Sequence, residues 1–139
     1  MRHYEYRHRI TFQDTNLVGN VYYTNHLAWQ GRCRELFLQE HAPEIVAQLT
    51  RDLCLATVRC SCEYLAELCA FDEVIVRMRL SDLVQNRLTL VFEYWRCHET
   101  TEELVARGEQ QVATMRRDGG RLVATPIPAR LREALEAYA

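Results

Sequence analysis

The sequence predicts an α+β domain in which an antiparallel sheet of about five strands curves around one long helix. Three observations predict it. Apolar residues alternate with period two in a first stretch and clearly in one of four later strand-like ones, with one long helical stretch after the first. Short, turn-rich connections join the later stretches, which favours antiparallel neighbours. The long helix is apolar on more than one side, as expected of a helix that a sheet encloses.

Tyr4 to Gln13 reads as the first strand, with Tyr4, Tyr6, His8, Ile10 and Phe12 on one side. Asp14-Thr15-Asn16-Leu17-Val18-Gly19-Asn20 has the chemistry of a turn, since Asp, Asn and Gly accept bends and left-handed backbone. Thr24 or Asn25 then caps a helix running to about Gln39. His41-Ala42-Pro43-Glu44 ends that helix and starts a short second one to about Thr50. Leu53 to Tyr64, Asp72 to Leu80, Arg87 to Cys97 and Glu103 to Arg117 are the further strands, with clear alternation at Val74, Val76, Met78 and Leu80 against Arg77 and Arg79. Val84-Gln85-Asn86 and Asp118-Gly119-Gly120 supply turns; Pro126 and Pro128 end the strand region, and Ala129 to Tyr138 reads as a last helix. On the long helix Trp29, Cys33, Leu36 and Phe37 form one apolar face. Leu27, Gly31, Arg34 and Leu38 form a second line, in which a lone guanidinium sits among small or apolar neighbours.

Composition narrows the function classes. A chain of 139 residues, 48% apolar, builds one core and one domain over residues 1–139. Its net charge of -2 offers no basic face for nucleic acid or an anionic membrane. All 17 basic residues are Arg, so no lysine is present for Schiff-base or general-base chemistry. The start of the chain carries no apolar signal core and no apolar run spans a bilayer, so a cytoplasmic protein with reduced cysteines is expected. Its six cysteines lack the wider pair spacings typical of zinc sites, so neither a metal nor a cofactor is expected.

From Phe12 through Asp14, Asn16, Gly19, Val21, Tyr23 and His26 to Leu27, the chain resembles the 4-hydroxybenzoyl-CoA thioesterase branch of the hot-dog superfamily. The stretch Gly108-Glu109-Gln110-Gln111-Val112-Ala113, the Gly119-Gly120 hairpin and Pro126-Ile127-Pro128 match that family's closing strands. The family's catalytic aspartate falls on Asn16, and a Glu common on its central helix falls on Gly31. An amide neither gives nor takes a proton near neutral pH, so Asn16 is neither nucleophile nor general base. Asn16 together with Arg34 is similar to the pattern of the thioesterases of enediyne polyketide biosynthesis.

That resemblance implies a hot-dog fold, a curved sheet wrapped around the central helix, working as a homo-oligomer, with a dimer of dimers expected. It implies release of a polyene β-ketoacyl chain from the acyl carrier protein of an iterative polyketide synthase, after which the β-keto acid loses carbon dioxide. The backbone N–H of Tyr23, at the start of the central helix, holds the thioester carbonyl; Asn16 donates to a substrate oxygen or orients water; Arg34 holds the β-keto oxygen or the new carboxylate. Gly19, His26, Leu27 and Gly31 are the substrate-binding positions, His26 standing where the family often has Tyr. Each residue also has a plain structural reading. Asn16 and Gly19 suit a turn, Arg34 suits an ion pair at an interface, and His26 suits the first turn of a helix. Glu63, Glu67, Asp72 and Glu73 read as solvated charge rather than as a carboxylate offered from a neighbouring subunit, Tyr64 and Tyr94 as core or interface, and Arg116 and Arg117 as weak candidates for a carrier or coenzyme A contact. A general acyl-CoA thioesterase and a catalytically silent acyl-binding or carrier-docking module stand as alternatives.

Overall fold

The computed structural model describes residues 2–139. Strand β1 (Tyr4–Arg9) leads through a 3-10 turn at Phe12–Asp14 to helices α1 (Thr24–His41) and α2 (Pro43–Leu49). Strands β2 (Leu53–Tyr64), β3 (Glu73–Val84), β4 (Arg87–His98), β5 (Thr101–Asp118) and β6 (Arg121–Ala124) follow, and then helix α3 (Ala129–Glu136). All pairings are antiparallel, in the order β1-β3-β4-β5-β2, with short β6 also against β5. This is the α+β hot-dog plan, with β6 added to the five expected strands.

Register shifts at Thr57/Arg59, Leu80/Asp82 and Tyr94/Trp95 bend the sheet. Each such irregularity adds twist to its strand, which is how a long sheet curls around a helix. Val74, Val76, Met78 and Leu80 of β3 face the core, as their alternation predicts, and Leu88, Leu90, Phe92 and Tyr94 of β4 join them there. Against them α1 buries Trp29, Cys33, Phe37 and Leu38, together with the polar His26 and Gln30. Burial of Phe37 alone contributes about 2–3 kcal/mol. Helix α3 covers the far end of α1 with Leu131 and Leu135.

Three expectations fail locally, each for a visible reason. Strand β1 stops at Arg9 because the Asp14 carboxylate turns the chain back, accepting from Thr11 N–H at 3.0 Å and from His8 Nε2 at 3.0 Å. Phe12 consequently leaves the core side and is 74% exposed, against Phe71 at 5.3 Å. Leu36, placed on the apolar face of α1, lies at its edge and is exposed. The sheet ends on β1 and β2; Thr57 to Ser61 of β2 are all exposed, so this strand presents an open edge. No helix among the described residues is long and apolar enough to cross a membrane.

Tyr94 ties sheet to helix: its buried hydroxyl donates to the His26 carbonyl at 2.7 Å. Tyr94→Phe is expected to cost about 1–2 kcal/mol, seen as a lower urea midpoint at unchanged slope.

Candidate active site

Asn16 sits in the turn between the 3-10 turn and α1. Its side-chain oxygen accepts from Val18 N–H at 3.0 Å and Gly19 N–H at 3.2 Å. Its backbone pairs with Asn20 and Gly19. The oxygen is thus committed to the turn, and what Asn16 has left to offer is its NH2 donor pair. Gly19 has φ +101°, a backbone that a side chain would strain. This turn is tied to the start of α1, since Tyr22 N–H donates to Asp14 O at 2.9 Å and Asn25 Nδ2 to the same oxygen at 2.7 Å.

The helix start differs from the sequence expectation. Neither Thr24 nor Asn25 caps α1; the N-cap is Tyr23, and no side chain accepts from the first turn. Tyr22 and Asn25 N–H are spoken for, while among the described residues no hydrogen bond claims Tyr23 N–H. An uncapped helix N-terminus keeps donors and a partial positive charge for an incoming oxygen. The Tyr23 carbonyl is fixed from the other side by the Tyr64 hydroxyl at 2.6 Å.

His26 lies one helical turn further on. Its ring is 3% exposed and packed by Trp29 at 5.3 Å, Tyr64 at 4.8 Å and Tyr94 at 5.4 Å. Neither ring nitrogen has a hydrogen-bond partner within ordinary geometry among the described residues; burial pulls its pKa down to about 4, outweighing the opposing pull of the nearby Tyr23 backbone. The imidazole is therefore neutral near pH 7, with one donor and one acceptor unclaimed. Together with Tyr23, Tyr64 and Glu67 it lines a cleft of about 330 Å³.

Arg34 is further down α1, past the half-exposed Leu27 and Gly31, where an added Cβ would meet nothing within 4 Å. Its NH1 donates to Gln110 Oε1 at 2.9 Å and Thr57 Oγ1 at 3.2 Å, while its buried Nε has no partner. Burial pulls its pKa below the usual arginine value. A guanidinium nonetheless remains charged in a protein. Among the described residues no carboxylate pairs with it. Beyond it, Phe37, Leu55, Leu90 and Leu131 help line an apolar cavity of about 10 Å³.

Within one protomer these groups fall at two separate places. Asn16, Tyr23 and His26 gather at the start of α1. Arg34 lies ten residues past Thr24, about 15 Å along the axis at 1.5 Å per residue. β2 gives a second ruler: Tyr64 holds the Tyr23 end and Thr57 the Arg34 end, about 20 Å apart along the strand.

Sequence reasoning missed Thr57 and Gln110 as partners of Arg34, missed Gln30 on the helix itself, and left Tyr64 undecided. Only Gln110 fell in a matched stretch, where nothing marked its role; Gly108, pressed against Gln30, is the nearest thing to a further signal. The acidic residues behave as surface charge: Glu67 accepts from Asn20 at 3.0 Å, Glu73 pairs with Arg7 at 3.1 Å and Asp72 with Arg96 at 3.6 Å. A cleft of about 730 Å³ lies away from Asn16 and Arg34 around Arg7, Arg9 and Glu73, whose charges already pair with one another. Arg116 is exposed and 4.0 Å from Asp118.

Comparison with known proteins decides the family: the model of the thioesterase-like superfamily matches residues 10–135. The chain belongs to the thioesterase-like superfamily. The chain is similar to the dynemicin thioesterase seen in crystal structures of polyene binding, with 48% identity, TM-score 0.95, 99% of this chain and 97% of that one covered. It shares its fold with 4-hydroxybenzoyl-CoA thioesterase in complex with 4-hydroxybenzoyl-CoA, at 20% identity and TM-score 0.86, over 97% of this chain and 99% of that one. The same holds for a 1,4-dihydroxy-2-naphthoyl-CoA thioesterase from Synechocystis, at 18% identity and TM-score 0.78, over 96% of each chain. No curated protein matches the chain. This thioesterase is thus a hot-dog thioester hydrolase of the enediyne type, and the kinship inferred from Asn16 and Arg34 holds.

Proposed function

We propose that the protein hydrolyses a polyene β-ketoacyl thioester carried by the acyl carrier protein of an iterative enediyne polyketide synthase, in the cytoplasm, at a site shared by two copies of the chain. The observation that carries this reading is an uncapped helix N-terminus beside an Asn that can only donate. Such a site polarises a carbonyl and places water, yet has no proton acceptor at Asn16, so it suits an ester that is already activated. A β-keto group provides that activation.

In the proposed reaction the thioester oxygen accepts from Tyr23 N–H, with Asn16 Nδ2 orienting the water. Water oxygen bonds to the carbonyl carbon, the C–S bond breaks, and the carrier thiol leaves with a proton. Arg34 holds the β-keto oxygen and then the new carboxylate. Loss of carbon dioxide breaks the next C–C bond and leaves a methyl ketone after proton transfer. Gly31 and Leu27 leave room along α1 for the chain, His26 faces the cleft below Tyr23, and Gly19 keeps Asn16 in its turn.

The separation of Tyr23 from Arg34 supports a two-copy site. Two β2 edges paired antiparallel about Cys60 and Ser61 would set Tyr64 of one copy opposite Thr57 of the other. The Tyr23 end of one protomer would then face the Arg34 end of its partner, and the open β2 edge would be satisfied. Leu17 and Val18, almost wholly exposed beside Asn16, fit a surface that a second copy or a carrier covers. A further pairing of dimers into a tetramer accords with the family. A cavity of about 10 Å³ beyond Arg34 holds no acyl chain without movement. The dynemicin relative is described as showing induced fit upon polyene binding.

The test is hydrolysis of a β-ketoacyl thioester beside its saturated counterpart, read by mass spectrometry because six cysteines confound a thiol dye. Preferential cleavage of the β-keto substrate, ending as methyl ketone, is expected. Equal cleavage of both would favour a general acyl-CoA thioesterase, and cleavage of neither a silent acyl-binding module.

A further inference from the structure

Arg34 is held by an amide chain that runs to the edge of the sheet. Its NH1 donates to Gln110 Oε1 at 2.9 Å; Gln110 Nε2 donates to Gln30 Oε1 at 3.4 Å; Gln30 Nε2 donates to the Ser61 carbonyl at 2.9 Å. Gln30 is 0% exposed and Gln110 is 4% exposed. Two buried glutamines in a row are unusual, since each must find partners for a polar group at both ends.

The ends of this chain allow one orientation. A guanidinium only donates and a backbone carbonyl only accepts, so each amide between them must turn its oxygen toward Arg34 and its nitrogen toward Ser61. Gly108 makes room for it, because a Cβ there would stand 2.2 Å from Gln30 Nε2 and 3.0 Å from Ser61 O. A carboxylate at either position could accept but not donate onward, and the relay would break. A carboxylate at 110 would also cancel the charge of Arg34.

From this we infer that Gln110 and Gln30 are positioning residues, a neutral relay that aims the Arg34 guanidinium while leaving its positive charge free for a carboxylate of the acyl product. Two further observations point the same way. The buried Arg34 Nε lacks a partner, so a donor is held in reserve beside the apolar cavity. Thr57, the other group on NH1, is also neutral. The inference rests on the proposed role of Arg34 in holding an acyl carboxylate, and it is tested by binding rather than turnover.

The probe is octanoate, titrated calorimetrically into the wild type, Gln110→Glu and Gln30→Leu, with folding checked by circular dichroism. The wild type is expected to bind octanoate. Gln110→Glu, almost the same size, should bind it about tenfold more weakly or worse, because its own carboxylate takes the guanidinium. Gln30→Leu touches no ligand, yet should weaken binding by roughly threefold or more, because Gln110 loses the acceptor that fixes its orientation. Should Gln110→Glu not fold, Gln30→Leu carries the test alone. Octanoate bound equally by the wild type and a folded variant would overturn the relay, and a wild type that binds none would overturn the open charge. Hydrolysis of the β-ketoacyl thioester by the same wild-type sample reports separately on the proposed reaction.

Discussion

Arg34→Ala is expected to lower turnover of a β-ketoacyl thioester by roughly 10²–10³ while leaving the protein folded, a loss of the size seen when one preorganised donor to a substrate oxygen is removed. Arg34 has no carboxylate partner, and its Nε is buried without a hydrogen bond, so in the unliganded protein its desolvation is poorly offset. Truncation removes that penalty and leaves Gln110 Oε1 and Thr57 Oγ1 without one donor each. The net change in stability is expected within about 1 kcal/mol of zero, since the two effects oppose. A group retained at such cost and absent from the stability balance is expected to act on a ligand. Arg34→Lys should recover little, because an ammonium lacks the planar fork that spans Gln110 and a substrate oxygen together. Steady-state rates on β-ketoacyl and saturated thioesters, with urea unfolding of the same samples, check both halves. Wild-type rates in folded Arg34→Ala would remove Arg34 from the mechanism.

Much of this architecture was legible in the chain because it rests on local rules. Alternation in β3 placed its core face correctly, and Pro43 marked the break between α1 and α2. Where alternation and capping rules compete with side-chain bonds inside the turn, they failed. β1 ended early because Asp14, in the 3-10 turn just after it, bonded back to His8 and Thr11. Thr24 and Asn25 looked like caps by composition, yet Asn25 spends its side chain on Asp14 O and α1 starts bare. That failure is informative, since a filled N-terminus would have no N–H left for a substrate. The site was legible in part. Asn16 and Arg34 stood out as chemical oddities, an amide in place of an acid and a cation in an apolar line. Gln30 and Gln110 did not, because their meaning lies in facing each other across about 80 residues of chain, and neither alone departs from ordinary usage.

The second large effect concerns His26 and acid. Its folded-state pKa of about 4 lies below the ordinary value of 6.5, because burial among Trp29, Tyr64 and Tyr94 disfavours the imidazolium. As pH falls, the unfolded chain therefore takes up this proton first. The stability due to neutral His26 is full above about pH 6.5 and drains away toward pH 4, at about 1.4 kcal/mol per pH unit and about 3 kcal/mol in all. His26→Phe keeps an aromatic ring in the same packing and has nothing to protonate. Urea unfolding at pH 7 and pH 5 should show the wild type losing about 2 kcal/mol more than His26→Phe between the two conditions. Every other side chain is common to both proteins and cancels in the difference. Matching losses would mean that His26 is solvated or hydrogen-bonded in solution, and the cleft below Tyr23 would then lose its unclaimed donor and acceptor. A gap of the stated size would establish a neutral imidazole at the mouth of the helix, able to donate to a substrate oxygen across the pH range in which the thioester is cleaved.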